Sequence, residues 1–196
     1  MKNSLIERFI SRERFQNYQD MSEYRDNLVF SKRSYIPLSI LEVALRNSID
    51  RLLSEKIRED WHEDANFLTV DSRQKIEQAK ELLTKRGENT IKQKVIAELS
   101  LGFWVNLFKK PYDKKLRIND LKRVFPNLPP RDKKFIKREI IYKELNHIRN
   151  FRNRVFHYEK VINRDDYNDI FVEIDEILGY FDDEICKFAK DTNASI

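Results

Sequence analysis

The chain of 196 residues carries 3 glycines, 5 prolines and one cysteine, Cys186, with 36% charged and 12% aromatic residues. That length buries a core without a metal or disulfide staple, and the composition excludes an intrachain disulfide and argues against a turn-rich sheet protein. The net charge of +5 conceals an uneven distribution: sixteen Lys or Arg against five Asp or Glu between Lys109 and Arg154, and four against eleven between Glu159 and Asp191. Such a split fits a basic face for a polyanion beside an acidic one, or two solvated helix faces of opposite sign.

The stretch from Met1 to Phe15 is charged and amphipathic, without the apolar centre of a secretory leader. No apolar run approaches the roughly 18 to 20 residues of a membrane span. With the lone cysteine, this predicts a soluble cytoplasmic protein with no membrane partner.

A first helix is predicted over Asn3–Tyr18, with Leu5, Ile6, Phe9 and Ile10 as a short apolar stripe; residues 1–30 form a helix or arm ahead of a bundle spanning 37–190, all within one domain over 1–196. Pro37, favoured at a first helical position, opens a helix carrying Ile40, Leu41, Ala44, Leu45, Ile49, Leu52, Leu53 and Ile57 at spacings of three and four. Trp61–Thr69 reads as a loop. Asp71 then caps a helix bearing Ile76, Ala79, Leu82 and Leu83 and stopped by Gly87.

Thr90 with Gln93 is a capping-box pattern opening one helix through Val95, Leu99, Phe103 and Trp104 to Phe108. A short helix spans Leu116–Val124, and residues 127–130 form a turn. The longest helix is predicted over Arg131–Val155, with Phe135, Ile140, Ile141, Leu145 and Ile148 inward. The last runs from a cap at Asp165 through Tyr167, Ile170, Ile174, Leu178 and Phe181 to Phe188. The predicted fold class is all-α.

Chemistry concentrates where the long basic helix ends, in the run from Arg149 to Glu159. His157, an imidazole that titrates near neutrality when unperturbed, can accept a proton from a ribose 2′-hydroxyl or give one to a leaving 5′-oxygen. Arg152 can hold a phosphate through its fork of donors and offset charge in the transition state.

Asn153 and His157, four apart, share a helix face, whereas Arg152 and His157 point about 140° apart, so that pair converges only if the helix ends or bends there. The same His157 also fits a plain helix C-cap, where the dipole favours an imidazolium. One imidazole leaves few groups for two proton transfers, which favours two copies meeting across a homodimer axis.

Lys133, Lys134, Lys137, Arg138, Arg149 and Arg154 alternate with apolar residues as helices with one cationic side do, and suit phosphate binding that weakens with salt. Phe103 and Trp104 fit core packing better than base stacking. His62 and His147 lack metal-ligand spacing with each other or with Cys186, so neither metal nor other cofactor is expected. A glycine-rich phosphate loop and a G-x-S-x-G elbow are both missing from the sequence.

Several separated segments together resemble the AbiD/AbiF type of abortive-infection (Abi-like) proteins. They are Leu41–Asn47 followed by Ile49-Asp50; Ala97–Val105; Phe125-Pro126 before Arg131; and Ile148-Arg149 leading to Arg152-Asn153-Arg154, His157 and Glu159. They stand in the family's order and span roughly residues 35 to 162.

The resemblance implies a HEPN-like helical bundle with additional helices. In it Arg152, Asn153 and His157 form the R-N-x-x-x-H ribonuclease motif, completed by dimerisation, in a phage-defence or toxin–antitoxin setting. It also makes Arg46 and Asn47 candidates for contact with RNA or the motif helix. Many relatives have a small residue before the motif histidine and a second histidine after it; this chain has Phe156 and Tyr158, the latter a candidate replacement donor.

The leading expectation is a metal-independent endoribonuclease leaving 2′,3′-cyclic phosphate ends. The alternatives are a protein that holds a structured, guide-like or other non-coding RNA without cutting it, and the interaction half of a toxin–antitoxin pair.

Overall fold

The computed structural model describes residues 3–195, and among them every regular element is helical. The chain is all-α, as its periodicity predicts. Ten α-helices follow in order: α1 (Asn3–Phe9), α2 (Arg12–Phe15), α3 (Met21–Lys56), α4 (Val70–Lys85), α5 (Lys92–Glu98), α6 (Leu101–Asn106), α7 (Ile118–Val124), α8 (Arg138–Phe156), α9 (Ile170–Phe181) and α10 (Asp183–Ala194). No helix among the described residues is long and apolar enough to cross a membrane.

The 36-residue α3 is the axis of the bundle, touched by α6, α7, α8, α9 and α10. It starts well before Pro37, which sits inside it rather than at its first turn. Asp20 caps the N-terminus by accepting the Glu23 N–H at 2.9 Å, and Glu23 accepts the N–H of Gln19, the residue before the cap, at 2.6 Å. An internal proline costs about 3 kcal/mol through its missing N–H and its clash with the preceding turn. Leu38, Leu41, Leu45, Ile49, Leu52 and Leu53 are all buried along one face. At about 1.5–3 kcal/mol for each fully buried side chain, that face outweighs the local preference for a break.

Four other boundaries differ from the periodic reading. The predicted first helix divides into α1 and α2 at Ser11, whose φ is 75°. The cap of α4 is Thr69, accepting the Ser72 N–H, rather than Asp71. Thr90 caps nothing: α5 begins after Ile91, and extended backbone at Leu99 and Ser100 separates it from α6. From Leu101 to Phe108 nearly every side chain is buried, more than one straight helix presents to a single core, and the bend lets Phe103 and Trp104 pack beside Trp61. The final predicted helix breaks at Asp182, which caps α10 through the Glu184 N–H at 2.7 Å and leaves Phe188 62% exposed.

The helix carrying the motif is shorter than its pattern suggests. It begins at Arg138, and residues 131–137 form a turn and an extended lead-in. In that segment Phe135 lies in contact with the Arg131 guanidinium and the Lys137 ammonium, 48% exposed rather than inward, while Lys134 is drawn to Glu176 and Tyr180 of α9. Tertiary pairing displaces the first two turns of helix. The same pairing corrects the picture of two charged faces: Glu173 meets His147, Glu176 meets Lys134 and Asp175 meets Lys190, so part of the acidic run is neutralised within the fold.

Asn27, on α3, is 1% exposed and ties that helix to the segment after α8. Its amide nitrogen donates to the Tyr18 hydroxyl and the Glu159 carbonyl, both at 3.2 Å, and its oxygen accepts the Val161 N–H at 2.7 Å and the Ile162 N–H at 3.3 Å. Replacing it by leucine strands several buried polar groups at about 1–3 kcal/mol each. Asn27→Leu is therefore expected to lower the unfolding free energy from urea titration by several kcal/mol or prevent folding; a free energy within ~0.5 kcal/mol of wild type, the scatter of neutral surface changes, contradicts the clamp.

Candidate functional site

Ile141, Leu145, Ile148, Phe151 and Val155, three and four apart, anchor α8 in the core against α6 and α9. The rest of the helix end is left to polar side chains. The helix stops at Phe156 in a Schellman arrangement: Tyr158 N–H donates to the Val155 carbonyl at 3.0 Å and Glu159 N–H to the Arg154 carbonyl at 2.9 Å. α4 ends in the same way with Gly87, φ 71°, at the position that Tyr158 fills here with φ 57°.

A left-handed conformation costs a non-glycine residue about 1–2 kcal/mol. Tyr158→Gly is accordingly expected to stabilise the protein by about 1 kcal/mol, raising Tm by about 2–4 °C in a calorimetric scan. An unchanged or lower Tm would show that the tyrosine ring contributes more than the strain removes.

The strained turn is held from several sides. The Arg14 Nη1 donates to the Tyr158 carbonyl at 2.7 Å, and Arg154 pairs with Glu159 at 2.5 Å. Lys160 donates to the Asn17 carbonyl at 2.9 Å and pairs with Glu23 at 2.6 Å, and Asn163 donates to Glu23 at 2.7 Å. The Lys160 ammonium first, then the Gln19 N–H and the Asn163 amide, hold the Glu23 carboxyl down from its ordinary 4.5 to about 2. A carboxyl depressed on folding stabilises fully above its unfolded value and loses that contribution as pH falls from 4.5 toward 2. The acid limb of the stability profile is expected to flatten in Glu23→Gln over that window, measured by urea midpoints; an identical acid limb would remove Glu23 from this role.

His157 is the C-cap residue, and its side chain is exposed. Its N–H donates to the Asn153 carbonyl at 2.9 Å, and the Asn153 side chain is also exposed, on the face the four-residue spacing predicts. The half-buried Arg152 turns toward α3. Its guanidinium carbon lies 4.3 Å from the centre of the Phe156 ring, its Nη2 is 3.5 Å from Glu42 Oε2, and its Nε is buried without a hydrogen-bond partner.

The helix ends beside His157, the condition that convergence of Arg152 and His157 sets, while the guanidinium's contacts among the described residues are with Phe156 and Glu42 rather than with the imidazole. Glu42 was inconspicuous in the sequence; its only signal was a carboxylate on an otherwise apolar helix face. Tyr35, tilted against Phe156 at 6.1 Å between ring centres, gave no signal at all.

The other sequence candidates divide by availability. Arg149, one turn before Arg152, touches only Asn150 by hydrogen bond, and Arg46, one turn beyond Glu42, only Asn47. Neither arginine forms an ion pair among the described residues. Lys133, Lys137 and Tyr158 are exposed. Two candidates are engaged elsewhere: Arg138 is buried, hydrogen-bonded to the Leu107 carbonyl at 3.3 Å and ion-paired with Asp113 at 3.2 Å, and Lys134 is tied to α9. Phe103 and Trp104 are core residues.

Among the described residues no three His, Cys, Asp or Glu side chains gather in a metal-holding arrangement. No protein-family model, no curated protein and no solved structure matches this chain.

Proposed function

We propose that this protein is a metal-independent endoribonuclease of the HEPN-like, AbiD/AbiF-type kind that its motif resembles, working in the cytoplasm as a phage-defence or toxin component. The observation that carries the reading is the end of α8: an exposed imidazole on the cap of a pinned helix terminus, within five residues of Arg152, Asn153 and Arg154. The exposed Lys133 and Lys137, with Arg46 and Arg149, half-buried and without an ion pair among the described residues, supply the counter-charge for an RNA backbone.

In the proposed reaction the ribose 2′-oxygen attacks phosphorus while His157 takes its proton. The phosphorus–5′-oxygen bond breaks, the 5′-oxygen receives a proton, and the products carry a 2′,3′-cyclic phosphate and a free 5′-hydroxyl. Arg152 holds a non-bridging oxygen, with Glu42 setting the guanidinium's orientation until phosphate arrives. A second copy across a twofold axis would supply the imidazolium for the leaving oxygen, and an antitoxin or non-coding RNA would restrain the pair. The existing Glu42–Arg152 contact favours a second reading, in which RNA is held without being cut.

Cleavage of cellular RNA in EDTA is expected, with cyclic phosphate ends, and His157→Ala is expected to reduce the rate by about 10²–10⁴-fold, the span of general acid–base catalysis. Undiminished cleavage in that variant ends the assignment. Salt-sensitive binding without RNA loss from wild-type protein selects the second reading.

A further inference from the structure

We infer that Tyr35 and Phe156 form a base-stacking platform beside the α8 terminus, so that the RNA taken there is single-stranded with an unpaired base laid on Tyr35. The inference rests on the RNA reading above and extends it to the form of the substrate.

Tyr35 is 59% exposed and Phe156 39% exposed. Both rings stand outside the buried core, yet they meet across two helices, α3 and α8, with 6.1 Å between ring centres and 36° between planes. The Tyr35 hydroxyl makes no hydrogen bond among the described residues, so no polar tie accounts for the ring's position. The Arg152 guanidinium sits on Phe156, which makes a continuous row: phenol, phenyl, guanidinium, then the carboxylate of Glu42. Phe156 immediately precedes His157, so the row lies at the α8 terminus that carries the motif.

The surrounding charge favours a polyanion over an apolar protein surface. Lys32, one turn before Tyr35 on α3, is exposed and forms no ion pair among the described residues, and Arg149 continues the flank of α8 beyond Arg152. An aromatic ring flanked by cations is how sequence-tolerant sites take single strands, each stacked base contributing about 1–3 kcal/mol. A base pair inside a duplex has both faces occupied by its neighbours, so a duplex interior cannot use the platform.

The test measures binding to the full chain by fluorescence anisotropy, with a 2′-O-methyl oligoadenosine that cannot be cleaved and a blunt RNA duplex of equal length. Tyr35→Ala is expected to weaken single-strand binding by about 5- to 150-fold, the range that 1–3 kcal/mol per base corresponds to, while duplex binding stays unchanged and Tyr35→Phe binds like wild type. Equal single-strand affinity in Tyr35→Ala, or equal losses for strand and duplex, overturns the platform. So does a fall from dimer to monomer mass in light scattering with RNA affinity intact, which would assign the patch to a second copy. If the wild-type protein binds neither RNA, the RNA reading itself fails. Because cleavage is not measured, an active His157→Ala would remove the nuclease assignment and leave the platform standing.

Discussion

One buried amide organises the end of this molecule around the α8 terminus. Asn27 spends its donors on the Tyr18 hydroxyl and the Glu159 carbonyl, and its oxygen on two successive backbone N–H groups at Val161 and Ile162. A side-chain amide offers a planar set of two donors and an acceptor with two lone pairs, so these four bonds fix the approach of three chain segments at once. Without them the backbone after His157 would have polar groups to satisfy in a dry environment and no reason to turn back along α3. The position of the helix end therefore depends on a residue far from it in sequence.

Electrostatics at that end are a compromise between order and availability. A long guanidinium in solvent pays rotamer entropy to hold one geometry. Here Phe156 and Glu42 hold Arg152 in place beforehand, at the cost of a partial counter-charge 3.5 Å away. That distance is long for a charge-assisted hydrogen bond, so the terminal nitrogens of the guanidinium retain donors for an anion. Arg138 shows the opposite outcome: buried, bonded to a carbonyl and paired with Asp113, it braces the start of α8.

The all-α class and the apolar faces of α3, α4 and α8 were legible because three- and four-residue spacing is a local property. The Asp20 cap was equally readable, yet the proline rule at Pro37 masked it, since local preference argues for a break and only the buried face of the whole helix argues against one. Residues 131–137 misled for a similar reason: their pattern is helical, but Lys134 finds its partner on α9, more than forty positions along the chain. The motif stretch stood out by residue type. What surrounds it, Glu42, Tyr35 and Asn27, did not, because each acts through a contact across α3 that no spacing rule encodes.

Backbone strain gives an independent reason to place function at this turn. Among the described residues three non-glycine positions have positive φ: Ser11, Tyr158 and Asn163. Asparagine tolerates that region, but Ser11, with ψ 150°, occupies ground otherwise left to glycine, and Tyr158 pays for its side chain. All three lie around one locality. Ser11 opens the short helix whose Arg14 bonds the Tyr158 carbonyl, and Asn163 hangs from Glu23 beside Lys160. Strain of this kind persists only where neighbours over-determine it, and a helix end needing nothing but termination would use glycine, as α4 does at Gly87. That the chain instead fixes a tyrosine here, immediately after an exposed imidazole, is the conformational counterpart of the chemistry proposed for His157.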